Sequence, residues 1–374
     1  MPNTVRYFDS TQWGSPSLSG QVGTLIGVLD ACLKDGFGSV TVNSLVVAAN
    51  VATVSVSTGH HFAMIGAVGP VIRISGASPS GLNGDVRVTV VDTTTFTFAT
   101  TGIANQTATG TITAKRAPAG FSKPFSATNK AVYRADDVTG TRMFLRVDDT
   151  SAQYPTLIAY ETMSDVDTGT GASVGNQWFG KSNTADSTAC PWRLIADGAA
   201  FYLLTNNAVG NTALCYGAMF WGDIVPILST DAYHSVLIGH YTAAFSSTML
   251  MGLGANNRNA SIARGYTQGG SAIVCSREGH PRNIGVLGGQ SSPATYPNAA
   301  GNDFLCVPVE VWTNAESILR GWMPGLYSTL HPGSSFTNGT IVDLVAGAGV
   351  SNRTMHIARI SNDAATFDLT GPWR

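Results

Sequence analysis

The chain has 374 residues, of which 44% are hydrophobic and 12% are charged, and its formal net charge is -2. This hydrophobic content can fill a sizeable core and excludes a disordered chain, while the length suits two or three domains. No run of Lys or Arg is present to neutralise phosphates, which excludes nucleic acid as a partner. A surface so poor in charge repels itself little and is of the kind that other subunits cover, although a secreted β-protein can show the same composition.

The N-terminus lacks the basic region and apolar stretch of a signal peptide. No apolar run approaches the ~20 residues that span a bilayer, so no membrane insertion is expected. The five cysteines are odd in number and lack Cys-x-x-Cys spacing, which predicts free, buried thiols in a protein that folds in a reducing cytoplasm. They are Cys32, Cys190, Cys215, Cys275 and Cys306.

Residues 1–37 contain the clearest helical pattern in the chain. Apolar residues recur at spacings of three and four within Gln21–Lys34, with Ser19 or Gly20 as the N-cap and Gly36 as the stop. A helix of this length is marginal by itself, so its apolar face must pack on something. We expect an assembly element that contacts a partner subunit, with the chain's own core as the alternative. The face consists of Val22, Leu25, Ile26, Leu29, Cys32 and Leu33.

Residues 38–117 are predicted to form a small β-module. Short alternating or β-branched runs are separated by turn signals, among which Asn-Gly is a strong hairpin signal because both residues tolerate positive φ. The predicted strands are Ser39–Val47, Val51–Ser57, Val71–Ser75, Asp85–Val91, Thr94–Ala99 and Ala108–Ala114. The turns are predicted at Ala49-Asn50, Ser78-Pro79, Asn83-Gly84 and Val91-Asp92.

Residues 118–130, which are punctuated by proline, are predicted to be a linker, and residues 131–374 one large antiparallel β-sandwich or barrel-like domain. Its predicted strands include Trp192–Ala196, Ala200–Thr205, Ala213–Asp223 and His234–His240. Several of its strands are apolar throughout, which is typical of strands buried on both faces. The segment Ala315–Arg320 is predicted to form one helical turn. Three long loops suggest functional or partner-bound segments. They are Asn206–Asn211, Gly252–Arg264 and Gly285–Gly301. The fold class is therefore mainly β, with an N-terminal helix, a β-module and a large domain.

Several stretches resemble proteins of tailed bacteriophages. A small β-module that is common in phage and prophage tail proteins is similar to Ile74–Pro79, Leu82–Asp85, Val88–Phe98 and Ala108–Thr113. A family of phage structural proteins encoded among tail genes is similar to Arg6–Thr11, Leu18–Gly20, Leu25–Leu33, Gly36–Gly38, Val132–Arg134, Phe144–Asp149, Glu161–Gly171 and Leu319–Leu326. The resemblance covers most of the chain and consists of strand and turn signatures. It implies a role in the virion.

Four patterns that could carry chemistry are better explained by structure. Gly171–Gly175 has the Gly-x-Ser-x-Gly spacing of a nucleophile elbow but lacks a following helix, which indicates a loop. The acidic loop 165–169 begins like a calcium site but lacks the later ligands, so no metal is predicted, although a bound cation stays open. The pairs Asp136-Asp137 and Asp148-Asp149 are expected to make turns and to contact arginines. The histidines have no metal-ligand spacing, and no cofactor is expected.

Aromatic residues are concentrated in the middle of the large domain. Exposed aromatic rings can stack on sugars, so a glycan contact is considered against the alternative that these rings fill the core. The candidates are Trp178, Tyr202, Tyr216 and Trp221.

The function that the sequence favours is structural and non-enzymatic. The chain is expected to be a phage virion component, most simply of the tail tip or baseplate, that is assembled in the bacterial cytoplasm. Its expected partners are other tail or baseplate proteins and copies of itself. One alternative is a receptor-binding protein that recognises a host-surface glycan or pilus. A glycan depolymerase is the other, for which no plausible catalytic set is visible.

Overall fold

The computed structural model describes residues 4–206, 213–240, 242–243, 260–278, 296–297, 304–329, 331–344, 352–360 and 363–374. The fold is mainly β, with 48% strand and 6% helix, and it contains a large antiparallel sheet. Among these residues no helix is long and apolar enough to cross a membrane.

The N-terminal segment contributes two short strands and one helix. They are β1 (Arg6–Asp9), β2 (Leu18–Ser19) and α1 (Thr24–Leu29), and α1 continues as a π-helix over Asp30–Asp35. The helix begins three residues later than predicted because Gly23 has a left-handed conformation, with φ of 81°. Its cap does not come from the predicted Ser19 or Gly20. Instead the amides of Leu25 and Ile26 donate to the carboxylate of Asp149, which lies 124 and 123 residues away.

Residues 37–116 form two sheets that share one core. Their strands are β3 (Phe37–Thr41), β4 (Ser44–Ala48), β5 (Val51–Ser55), β6 (Val71–Ser75), β7 (Gly84–Arg87), β8 (Thr89–Val90), β9 (Thr95–Ala99), β10 (Gln106–Thr107) and β11 (Thr113–Arg116). One sheet has the order β10-β4-β5-β9-β8 and the other β3-β11-β6-β7. The core between them consists only of residues 40–114. The chain crosses between sheets within two of the predicted strands, Ser39–Val47 and Asp85–Val91, which are therefore two strands each. Of the predicted strand Ala108–Ala114, only the last two residues lie in a strand, β11.

Two of the predicted turns, Ala49-Asn50 and Val91-Asp92, connect consecutive strands as expected, whereas Ser78-Pro79 and Asn83-Gly84 both lie in one longer connection. Ala49 and Asn50 both have positive φ, of 50° and 62°, which closes the β4–β5 hairpin. Asn83-Gly84, however, is not a two-residue hairpin turn. The connection between β6 and β7 is longer and includes a 3-10 turn at Ser80–Leu82, and the Asn83 side chain holds it together by bonding both the amide and the carbonyl of Ala77 at 2.8 Å.

Residues 121–178 form a five-stranded sheet, β12-β13-β14-β15-β18, and a small hairpin. The bounds are β12 (Phe121–Ala127), β13 (Lys130–Ala135), β14 (Phe144–Asp148), β15 (Thr156–Tyr160), β16 (Thr162–Met163), β17 (Gly169–Thr170) and β18 (Gln177–Trp178). Most of the predicted linker 118–130 is the edge strand β12. Pro124 is tolerated there because the pairing with β13 is irregular between Ser122 and Phe125, so no ladder amide is lost.

The rest of the chain completes a thirteen-stranded sheet. The strand β19 (Ala189–Cys190) pairs with β2 in a separate two-stranded sheet. Besides β1, the strands of the large sheet are β20 (Trp192–Ala196), β21 (Ala200–Thr205), β22 (Gly217–Asp223), β23 (Val225–Pro226), β24 (Ser235–Ile238), β25 (Ala260–Ile262), β26 (Ile273–Glu278), β27 (Cys306–Thr313), β28 (Ile318–Thr329), β29 (Thr340–Leu344), β30 (Arg353–Ile360) and β31 (Asp363–Asp368). The order is β1-β20-β21-β22-β24-β25-β26-β27-β28-β31-β30-β29, with β23 paired to β28.

The large sheet curls over itself around an apolar interior. β23 lies between β22 and β24 in the chain yet pairs with β28, and the Tyr202 hydroxyl of β21 donates to the Pro324 carbonyl of β28 at 2.8 Å. The predicted helical turn Ala315–Arg320 is wrong, because its second half is the start of the long strand β28. Of the predicted long loops, the first and third, together with residues 252–259 of the second, lie outside the described residues, apart from Asn206 and Tyr296-Pro297.

The strands β20, β21, β22 and β24 are buried on both faces, as their apolar sequences predicted. One face lines the interior of the curled sheet, where Tyr202 and Phe220 pack. The opposite face packs Phe201 and Trp221 against α1 and the sheet of β12–β15. β1 joins the large sheet by pairing with β20, so the N-terminal segment is integrated into this interior.

Candidate functional site

The outer face of the sheet β10-β4-β5-β9-β8 carries regular rows of uncharged side chains. The strand registers place one row across all five strands, consisting of Thr107, Val46, Thr53, Thr97 and Thr89. The flanking rows are Ser44, Ser55 and Thr95 on one side and Ala48, Val51 and Ala99 on the other. Most of these residues are exposed, and Val46 and Val51 leave 38% and 42% of their surface in water.

This face results from a strict two-residue period in which neither set of positions carries charge. The inward set of these strands, with Leu45, Val54 and Phe96, is fully buried in the module core. Outward positions of a sheet with one solvated face are normally polar, and charges are common there. Here the outward residues are Thr, Ser, Ala and Val. These residues favour a strand, but water solvates them less strongly than charged side chains. The sequence contains the signal for this face, which is an alternating strand pattern without charge at the outward positions. The face was nevertheless not predicted from the sequence.

A cleft of about 520 Å³ borders this face. One wall is the edge of the face at Val51, Thr97 and Thr89, and the opposite wall includes the loop from Met64 to Gly69 and Thr370. Its volume is within the range of small-molecule sites. Arg87 is the one charged side chain among its lining residues.

The charged group in the cleft, the Arg87 guanidinium, already has hydrogen-bond partners. The Arg87 guanidinium donates to the carbonyls of Gly69 and Val5, each at 2.8 Å, and burial lowers the pKa of this group, followed by the nearby charge of Arg6. The cleft lining contains no carboxylate, histidine or cysteine among the described residues. It can therefore contact a ligand through hydroxyls and apolar surface, but it presents no group for acid–base or nucleophilic chemistry.

Ionic contacts attach the module to the large sheet. Asp85 of β7 accepts from Arg6 of β1 at 3.0 Å and from Arg73 of β6 at 2.6 and 3.1 Å. Burial alone would raise the pKa of Asp85, but the hydrogen bonds and charges of the two arginines outweigh it and hold that pKa below its usual value. The Ala67 amide of the cleft loop donates to Asp343 of β29 at 3.0 Å. These contacts join the module, which carries the outer face, to the large sheet.

The predicted assembly residues on the helix lie mostly in the chain's own core. Leu25, Leu29 and Leu33 are fully buried among strands of the large sheet and of β12–β15, and Ile26 is partly buried against the same core. Only Val22 is exposed, at 48%, because the helix begins after it. This apolar face therefore packs in the chain's own core, which was the alternative prediction. There the helix covers part of the outer surface of the curled sheet, which would otherwise be exposed.

The four residues predicted to contact a glycan also differ in their burial. Tyr202 and Trp221 are fully buried, on opposite faces of the large sheet, and cannot stack on a sugar. Trp178 and Tyr216 are half-buried. The structure does not bring the four rings together on one surface, because β21 and β22 are central strands and lose both faces to packing.

The motifs with possible chemistry have structural partners. The Ser173 hydroxyl of the Gly-x-Ser-x-Gly stretch accepts from the Ala159 amide at 3.2 Å, within a loop between β17 and β18, as predicted. In the acidic loop, Asp167 pairs with Lys130 at 3.0 Å and Arg146 at 2.5 Å. The carboxylate that a metal ion would need is therefore already paired with two cationic side chains.

The paired carboxylates separate, as alternation on a strand requires. Asp148 pairs with Arg146 at 3.1 Å, as predicted, whereas Asp149 turns inward to Lys181. Asp137 accepts from the amide and hydroxyl of Thr139 and forms a turn. Among the residues that the structure describes, no group of three or more His, Cys, Asp or Glu side chains is placed to hold a metal ion.

Comparison with known proteins adds no assignment. The chain matches no family model, and no curated protein matches it.

Proposed function

We propose that this chain is a structural component of a phage virion, most simply of the tail tip or baseplate, and that it acts by subunit assembly. The observation that carries this proposal is the outer face of β10-β4-β5-β9-β8, whose outward positions are all uncharged. An interface core is depleted of charge, because burying an unpaired charge costs far more than burying a hydroxyl or a methyl group. The partners are other tail or baseplate proteins and copies of this chain.

The support of this face favours assembly over transient binding. The ion pair between Asp85 and Arg6 joins the module to the large sheet, and Arg73 holds Asp85 from within the module. A rigid element loses little conformational entropy when it docks. The sequence resemblance to phage tail proteins agrees with this role.

Electron microscopy tests the proposal. Antibodies against the purified chain, applied to phage particles from the strain that encodes it, should label the distal end of the tail. Introducing a charge at the centre of the face, in Thr53→Asp, should reduce incorporation into particles, whereas Val138→Asp on an exposed turn should not. Particles without label at any position, from a lysate in which immunoblots detect the chain, would overturn the proposal.

A second candidate function is recognition of a host-surface glycan, which the cleft of about 520 Å³ favours. Its Thr hydroxyls can exchange hydrogen bonds with sugar hydroxyls, and Val51 and Val68 offer apolar contact. Calorimetry with purified host envelope polysaccharide tests this function. Ala99→Trp, which fills the cleft, should abolish binding, while Val138→Trp should leave it unchanged. Release of reducing sugar in the same mixture would instead indicate a depolymerase.

A further inference from the structure

We infer that the outer face of β10-β4-β5-β9-β8 pairs with the same face of a second copy of this chain, around a two-fold axis that passes near Thr53. This inference rests on the proposed function, because it names the partner of the proposed assembly face.

The chemistry of the face makes it complementary to itself. A hydroxyl can both donate and accept, so a row of Thr and Ser side chains can bond an identical row, which a lysine or a carboxylate row cannot do. The methyl groups of Val46, Val51 and the threonines supply apolar contact between the rows. No like charges meet when two such faces approach, and like charges are what normally prevents a surface from pairing with itself.

The geometry places one residue at the centre. Thr53 is the middle outward residue of β5, and β5 is the middle strand of the five. In a two-fold interface, a residue on the axis meets its own copy. The cleft borders the face at Val51, Thr97 and Thr89, so the open part of the face lies around Thr53 and Val46.

The size of the face indicates how the contact is used. The outward residues of the three inner strands, three each, and one from each edge strand occupy about 4.8 Å by 6.8 Å apiece and span about 360 Å², less than half of the ~800 Å² per partner in a standard interface. A face of this size gives a weak contact between free copies. The contact becomes effective when other contacts in an assembly hold the copies together, because the effective concentration of one face near the other is then high.

Cysteine cross-linking can capture such a weak contact. A Thr53→Cys variant of the full chain is treated with a short bismaleimide that spans the ~10 Å between stacked sheets. The native thiols give little background, since four of the five are buried and burial raises the pKa of the fifth, Cys306, to about 12. Val138→Cys is the matched control, because Val138 is 76% exposed and lies between β13 and β14, outside the sheet that carries the face.

We expect Thr53→Cys to form covalent dimer about tenfold faster than Val138→Cys, which corresponds to a contact worth about 1.4 kcal/mol. Adding Val46→Asp to Thr53→Cys should remove this difference, because each copy would then bury a carboxylate without a counter-ion in the contact. Equal rates for Thr53→Cys and Val138→Cys, with both variants folded by circular dichroism, would overturn the inference. Labelling of the tail in electron microscopy would be unaffected by that failure, so the proposed function is judged separately.

Discussion

The ion pair between Lys181 and Asp149 is fully buried and connects three parts of the fold. Asp149 follows β14 and accepts from the amides of Leu25 and Ile26 at 2.8 and 3.4 Å, which caps α1, while the Lys181 ammonium also donates to the Gln21 carbonyl at 2.5 Å. Burial raises the pKa of Asp149 and lowers the pKa of Lys181, and the mutual attraction of the two charges opposes both shifts. The charged form of each side chain is therefore stabilised in the interior by the charge of the other.

Removing either charge alone should be costly. Lys181→Met keeps the aliphatic volume but leaves the Asp149 carboxylate buried without a cation, and Asp149→Asn leaves the ammonium without an anion. Each change should lower the free energy of unfolding by about 3–5 kcal/mol. In the double variant no charge is buried, and the side-chain amide oxygen introduced by Asp149→Asn can still accept from the helix amides. The cost of the double variant should be below about 2 kcal/mol, so the two changes are strongly non-additive.

Urea unfolding at pH 7, followed by circular dichroism, measures these differences. Lys34→Met is the matched control, since Lys34 pairs with Asp35 on the surface, with side chains 40% and 51% exposed. It should stay within about 0.5 kcal/mol of the wild type. Single variants that each cost less than about 1 kcal/mol, or a double variant equal to the sum of the two, would show that this pair does not hold the helix.

Three further predictions concern other buried groups. His356 is fully buried, and neither ring nitrogen has a hydrogen-bond partner among the residues that the structure describes; burial, then the charge of Arg193, lowers its pKa to about 3. The unfolded chain therefore takes up this proton near pH 6.5 and the folded chain only near pH 3, so stability should fall by up to about 1.4 kcal/mol per pH unit as the pH drops between these values. His356→Leu should flatten this slope in urea titrations, and equal slopes would contradict the assignment. Asp85→Asn should cost about 3 kcal/mol in urea because Arg6 stays buried without its anion; an unchanged midpoint would argue against ionic attachment of the module. Strong reductant should leave the thermal unfolding midpoint unchanged, since all five cysteines are free thiols; destabilisation on the order of 2–5 kcal/mol would reveal a disulfide.

Strand positions were predictable where burial is decided locally. Val71–Ser75, Trp192–Ala196 and Ala200–Thr205 were predicted with the bounds that the structure has. Their apolar or alternating patterns leave one conformation that buries enough surface, so neighbouring residues suffice to identify them. The division of the chain at residues 37, 117 and 130 stays a prediction.

The errors occur where distant residues decide the local structure. The N-cap of α1 was sought next to the helix, but Asp149 provides it from 124 residues away. The Pro-containing segment Phe121–Ala127 is a strand because an edge position and an irregular register tolerate the missing amide. Ile318–Thr329 is a strand because β27 and β31 pair with it on either side.

The amino-acid sequence by itself determined the class of the fold, the buried strands and the uncharged outward positions of the module, because these follow from side-chain type and a two-residue period. Only the tertiary structure decided which apolar surfaces are free. The helix face and the rings of Tyr202 and Trp221 are as apolar as any interface, yet they are covered by strands distant in sequence. Val46 and Thr53 remain in water because no other part of the described chain packs on their sheet face. Periodicity shows which residues share a face, but only packing between distant segments determines what covers it.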